Sequence, residues 1–205
     1  MNAPGGPVSS RRKFRVTPRM VIAYLCLIPV SIGIGFGAFG IITLIKKQMY
    51  DRPLPDAVTQ GAKEADIPPH AVYAVMYVYG DMSGGSGKNG DRIGYMGLSK
   101  SLFETIGQTL LSESPDPGLV YDPETNVRYG IAYLGYLFDK YLLWDTAFAA
   151  YVCGTDRVDA WLRDEELTDK YGALRAQAIP DRAVSKTVSR ILSAMQTYDS
   201  LYKEN

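Results

Sequence analysis

Histidine is almost missing from these 205 residues: His70 is the only one, and Cys26 and Cys153 are the only cysteines. A zinc site draws on several His or Cys ligands, so no metal centre of that kind is expected. Ser-His or Cys-His catalysis would rest on His70 alone, which follows Pro69 in the first turn of an expected helix and reads as surface. Cys26 lies in a long apolar run and Cys153 far beyond it, so no disulfide framework exists. Cys26 also lacks the small residue expected before a lipidated cysteine. Acidic residues are absent from the first 50 positions, whereas all 22 acids and 15 of the 22 basic residues follow them, which leaves that later part at −7. A surface so acidic argues against nucleic acid as a partner, because phosphate binding depends on Lys and Arg.

What the first 50 residues do contain is a run without charge, MVIAYLCLIPVSIGIGFGAFGIITLI, from Met20 to Ile45. It exceeds the roughly 20 residues that a helix needs to cross a bilayer core. A cleaved signal would carry a shorter apolar core, about 7 to 15 residues, and a small-x-small cleavage site. The run therefore reads as one retained transmembrane helix, 20–45. Arg11, Arg12, Lys13, Arg15 and Arg19 precede it and outnumber Lys46 and Lys47 behind it, which sets residues 1–19 as a cytoplasmic tail. The expected organisation is tail, span, a linker over 46–54, and an extracytoplasmic domain over 55–205, held at the cell membrane by a single pass.

Beyond the linker the apolar spacing is helical and no run of alternating strand residues occurs, so the domain is expected to be all-α. The expected helices cover 55–66, 69–79, 98–110, 123–142, 144–152, 155–164 and 180–202. Asp122-Pro123 supplies a cap and a first-turn proline, followed by Val127, Ile131, Leu134, Phe138 and Tyr141 at steps of three and four. Pro180 is expected to open the last helix, with Val184, Val188, Ile191, Met195 and Tyr198 as its inner stripe.

Two features suggest chemistry at first sight. SGGSGKNGD has the glycine content of a phosphate loop, but no Ser or Thr follows Lys88 and the glycine spacing is wrong, so it reads as a turn. Tyrosine is frequent, 15 in all. Tyr73, Tyr77, Tyr95, Tyr129, Tyr133, Tyr136 and Tyr151 could line a sugar-binding groove, since a ring packs on a sugar face while its hydroxyl bonds to substituents. At helical spacing, core or core rim is the simpler reading of each.

Taken in order, VYAVMYV, GYMGL, YDPETNVRYGIAYLGYLFDKY, WDTAFAAYVCGTDRVDAWL and the IP before the last helix resemble the soluble lytic transglycosylase family of goose-type lysozyme-like domains, from about Asp66 to Tyr198. The middle segment is the most specific, being similar to the family's D-P-x-x-N-I-x-x-G-x-x-Y-L. The resemblance implies a lysozyme-like helical domain that acts on peptidoglycan glycan strands. The family cleaves between N-acetylmuramic acid and N-acetylglucosamine without water, leaving a 1,6-anhydro end. One glutamate gives and then takes the proton, and its pKa must sit near the working pH, which burial at the end of an apolar helix achieves by desolvation.

The resemblance sets Tyr79-Gly80 against the family's E-S at that helix end. Val72, Val75, Met76 and Tyr79 fall at i, i+3, i+4 and i+7, so Tyr79 continues a buried stripe. A buried tyrosine, with a pKa from about 10 upward, is a poor proton shuttle at neutral pH. Asp81 is the nearest substitute acid, with Asp91, Glu104 and Glu113 remoter. Other site positions depart too: Lys100 stands for the glutamine of G-x-M-G-L-M-Q, Val152 for the asparagine of A-Y-N-A-G, and Ala183 and Thr187 for the acid and tyrosine of E-T-R-x-Y. The loop between Tyr79 and Gly97 is about three residues longer than the family's. The expectation is a domain without a catalytic residue or cofactor, whose groove, formed by Tyr79, Met96, Lys100, Tyr133, Tyr151 and Val152, binds peptidoglycan or a cell-envelope protein. The alternatives are a divergent lytic transglycosylase using Asp81 or Asp91, and an envelope component that touches no glycan.

Overall fold

Pro69 opens the helix from which the rest of the domain is built. In the computed structural model, which describes residues 40–84 and 90–203, the chain divides into Met1–Gln48 and Met49–Asn205. Of the first unit, residues 40–48 are described and are helical. The expected tail and nearly all of the expected span lie outside the described residues, among which no helix is long and apolar enough to cross a membrane.

The second unit contains, among the described residues, the α-helices α1 (Pro55–Glu64), α2 (Pro69–Val78), α3 (Lys100–Ile106), α4 (Pro123–Tyr141), α5 (Trp144–Cys153), α6 (Thr155–Leu162) and α7 (Arg182–Tyr202). No strand longer than an isolated bridge occurs among these residues. Because α2 has no charged residue, it can be covered on all sides, and Ala71 through Met76 are all buried. It packs along α7, while α5 lies against α4, α6 and α7, and α1 against α4. Gly61 and Gly135 permit the close approach of α1 to α4, since a Cβ at either would come within 2.9 Å of Ile131 or Ala65.

Helix starts follow the capping residues. Ser99 accepts from the Leu102 amide, so α3 begins at Lys100 rather than 98, and it passes at Gly107 into a π-helical turn, Gly107–Leu111. Asp181 accepts from the Ala183 and Val184 amides, so α7 starts at Arg182 and not at Pro180. The unit also begins earlier than residue 55. Tyr50 stacks on Tyr77 at 4.6 Å, and Tyr198 and Tyr202 donate hydroxyl hydrogen bonds to the carbonyls of Asp51 and Tyr50. His70 departs from its expected surface position: it is half-buried, with Nδ1 3.8 Å from Asp199 Oδ1.

Candidate active site

The end of α2 meets a tight turn that α4 holds in place. Ile93 and Leu98 exchange both backbone hydrogen bonds, and between them Gly94 and Gly97 take positive φ angles of 72° and 63°, conformations that favour glycine. Asn126 of α4 supports this turn from beneath. Its Oδ1 accepts from the Met96 amide at 2.9 Å, and its Nδ2 donates to the carbonyls of Ile93 and Val120 at 3.0 and 2.9 Å. Asn126 is wholly buried, and all of its side-chain polar groups are thereby paired. One turn further along α4, Gly130 leaves room for Met96, whose Cβ and Cγ would collide with any added Cβ. A second brace comes from α5, where the Tyr151 hydroxyl donates to the Met96 carbonyl at 2.8 Å.

Tyr79 caps α2 and faces this frame. Its hydroxyl donates to the Val152 carbonyl at 3.3 Å, its ring meets Tyr151 edge-on at 5.7 Å, and Gly80 turns the chain away. A Cβ at Gly80 would overlap the Tyr95 carbonyl. Tyr133 continues the cluster, 5.4 Å from Tyr151. Burial pushes Tyr79 above the ordinary phenol value, with Arg92 opposing; it takes Tyr133 to about 12 and the fully enclosed Tyr151 well beyond the ordinary range. All three are neutral hydrogen-bond donors at physiological pH, and none can shuttle protons there.

The cation at this helix end is Arg92. Its guanidinium lies 4.4 Å from the Tyr79 ring centroid, and Nη1 donates to the Tyr79 carbonyl at 3.2 Å, so it neutralises the C-terminal end of α2 and covers the ring at once. Sequence reasoning missed it, because nothing in an irregular loop announces which cation closes back on a helix end. The structure thus gathers Tyr79, Tyr133, Tyr151 and Val152 and does not gather the rest of the expected groove. Met96 is fully buried and contributes backbone only. Lys100 is exposed, with its ammonium 5.4 Å from the Tyr121 ring. Asp81 Oδ1 accepts from the Ser83 amide and hydroxyl, which holds it in a local turn. Asp91 is exposed, and Thr187 binds back to the Ala183 carbonyl.

Beside the tyrosine cluster a cleft of about 690 Å³ lies open between α3, α4 and the start of α6, lined among others by Leu102, Thr105, Tyr133, Tyr136, Cys153 and Arg157. Its volume is that of a small-ligand site. Tyr136 is 42% exposed and its ring lies nearly parallel to that of Tyr133, centroids 6.4 Å apart. The Tyr136 ring offers an exposed apolar face backed by the largely buried Tyr133, and Arg157, paired with Asp181 at 2.9 Å, also lines the cleft.

Residues 56–173 match the family described as the transglycosylase SLT domain. That stretch is more than half of the chain, and the protein belongs to this family. The match begins ten residues before the resemblance read from the sequence and ends before α7. Among solved structures, the chain is similar to an inactive mutant of the lytic transglycosylase Slt from Pseudomonas aeruginosa, with 21% identity, a TM-score of 0.63, and coverage of 74% of this chain and 24% of that one. The 70 kDa soluble lytic transglycosylase from Escherichia coli gives 20% identity and a TM-score of 0.68 over 76% of this chain and 25% of that one. A complex of the 70-kDa soluble lytic transglycosylase with bulgecin A gives 20% and 0.69, covering 78% and 26%. The chain therefore spans about a quarter of the length of these proteins and shares the lysozyme-like helical fold of a lytic transglycosylase domain. No curated protein matches it.

Proposed function

We propose that this protein is a membrane-anchored, cell-wall-facing SLT domain that binds peptidoglycan glycan strands without cleaving them. The observation that carries the proposal is Tyr79: at the helix end where the resemblance sets the family's acid, a phenol is tied to the Val152 carbonyl, packed on Tyr151 and covered by Arg92. Cleavage needs a carboxyl that is protonated before the bond breaks. An arginine at that point would hold any carboxyl ionised. Asp81, bound into its own turn with Ser83, is poorly arranged to substitute.

Binding has different requirements, and the residues that meet them are present. The turn carrying Met96 is braced by Asn126 and Tyr151, and the cleft presents the exposed Tyr136 ring, backed by Tyr133, as a platform for a sugar face. Anchoring rests on the uncharged run 20–45 and the basic tail before it. The test is co-sedimentation of the full chain, in nonionic detergent, with purified sacculi. Saturable pelleting that falls at least about fivefold in Tyr136→Ala supports the cleft as the glycan site; pelleting that is absent, or unchanged in the variant, contradicts it.

A further inference from the structure

A second cavity, of about 300 Å³, lies where the segment after residue 48 meets the end of α7. Its walls are the rings of Tyr73, Tyr198 and Tyr202, with Tyr73 stacked on Tyr198 at 5.4 Å. Four groups that donate hydrogen bonds converge on it: Arg52, Lys203, His70 and the Tyr73 hydroxyl. Among the described residues Asp199 is the one acid in its lining, and it faces His70. Arg52 sits 4.1 Å from the centroid of the Tyr202 ring, and neither Arg52 nor Lys203 has a carboxylate within ion-pair distance among the described residues.

The Tyr73 hydroxyl distinguishes this cavity from a mere surface dimple. Tyr73 is only 3% exposed, yet its hydroxyl hydrogen-bonds to no group among the described residues and is not sealed from the cavity. Of the other buried tyrosines, Tyr129 donates to Glu113, Tyr151 to Met96 and Tyr198 to Asp51, while Tyr133 lines the larger cleft. Burial takes the Tyr73 phenol to about 12, against the pull of Arg52, so it is a donor at all physiological pH values. Asp51 and Asp56 act on it electrostatically, but neither lines the cavity. Among the described residues, this aromatic-walled hollow in an otherwise acidic domain has more cationic and donor side chains in its lining than carboxylates.

We infer that this cavity is a binding site for a phosphate ester, held by Arg52 and Lys203 from the rim and by the Tyr73 hydroxyl from the floor. Guanidinium and phenol donors suit the several oxygens of a phosphate, and the volume is at the low end for a ligand pocket, enough for a headgroup-sized molecule. The source is either a soluble phosphate ester or a lipid headgroup. The lipid source rests on the anchoring proposed above: Arg52 follows Ile45 by seven residues, and that length of chain spans at most about 25 Å. The site itself is independent of glycan binding.

The experiment is calorimetric titration of the full chain in nonionic micelles, first with sn-glycerol 1-phosphate and then with micelles containing phosphatidylglycerol. Tyr73→Phe keeps the ring stack and the net charge and removes only the hydroxyl; Arg52→Gln removes the rim cation. Saturable binding that weakens at least about tenfold in each variant is expected, with circular dichroism confirming that both are folded. Binding of the lipid alone assigns the headgroup source, and equal binding of both assigns a soluble ester. No saturable binding of either, or binding that Tyr73→Phe and Arg52→Gln leave unchanged, overturns the inference, whatever the sacculus experiment shows.

Discussion

Arg92 lies over the ring of Tyr79 and donates to its carbonyl, so the end of a largely buried helix is closed by a cation and a phenol together. Tyr79→Glu would place its new carboxyl beside that guanidinium. The carboxyl is expected to titrate below the ordinary glutamate value of about 4.3, and to move above it when Arg92→Gln is added, because burial then acts alone. NMR titration of the two variants measures the difference. Lys100, which the resemblance sets against the family's glutamine, has its ammonium over the Tyr121 ring instead; Lys100→Gln added to Tyr79→Glu should leave the titration unmoved.

Anhydro-product formation should return only when several groups are restored together. Tyr79→Glu alone is expected to be inert, and Tyr79→Glu with Arg92→Gln and Val152→Asn to show activity, with Thr187→Tyr increasing it. Groups that act as a unit give non-additive gains. Activity in the single variant as high as in the triple would show that Arg92 does not suppress the site.

Asn126→Ala removes three hydrogen bonds and strands the Met96 amide and the Val120 carbonyl in the interior, while the Ile93 carbonyl keeps its bond from the Leu98 amide. The expected loss is about 3 kcal/mol or more, read as a lower urea midpoint. Gln196→Ala, on the exposed face of α7, should shift stability by no more than about 0.5 kcal/mol.

Much of the architecture was legible because its signals are local. Asp122 and Pro123 start α4 as their types dictate, and Val127, Ile131 and Leu134 form its buried stripe. Tyr73, Tyr129 and Tyr151 fall in the core, as helical spacing suggests. What was illegible depends on contacts distant in sequence. The purpose of Asn126 and Gly130 in the D-P-x-x-N-x-x-x-G pattern emerges only when the turn around Met96, some 30 residues earlier, is seen resting on them. His70 likewise carries no local sign of Asp199, which reaches it from the far end of the chain.

Glu113 accepts a bidentate pair from Arg128 and a third bond from Tyr129 at 2.7 Å. These bonds hold its carboxyl down to about 2. A depressed carboxyl contributes stability that is complete above its unfolded value near 4.3 and disappears as pH falls toward 2. Urea midpoints should therefore decline over that window, and the decline should be shallower in Glu113→Gln. The group is solvent-exposed, so the contrast is greatest at low salt.

Topology is tested by labelling in intact cells with a membrane-impermeant maleimide. In a background of Cys26→Ser and Cys153→Ser, Gly118→Cys should label and Ser9→Cys should not. Labelling of the Ser9 variant alone would invert the orientation.

The central claim is that the domain holds glycan strands and leaves them whole. Mass spectrometry of soluble products after incubating the purified full chain with sacculi tests it most directly. The account predicts no 1,6-anhydro muropeptides above the no-protein control while the chain pellets with the sacculi; anhydro products above that control, and lost in Asp81→Asn, would contradict it.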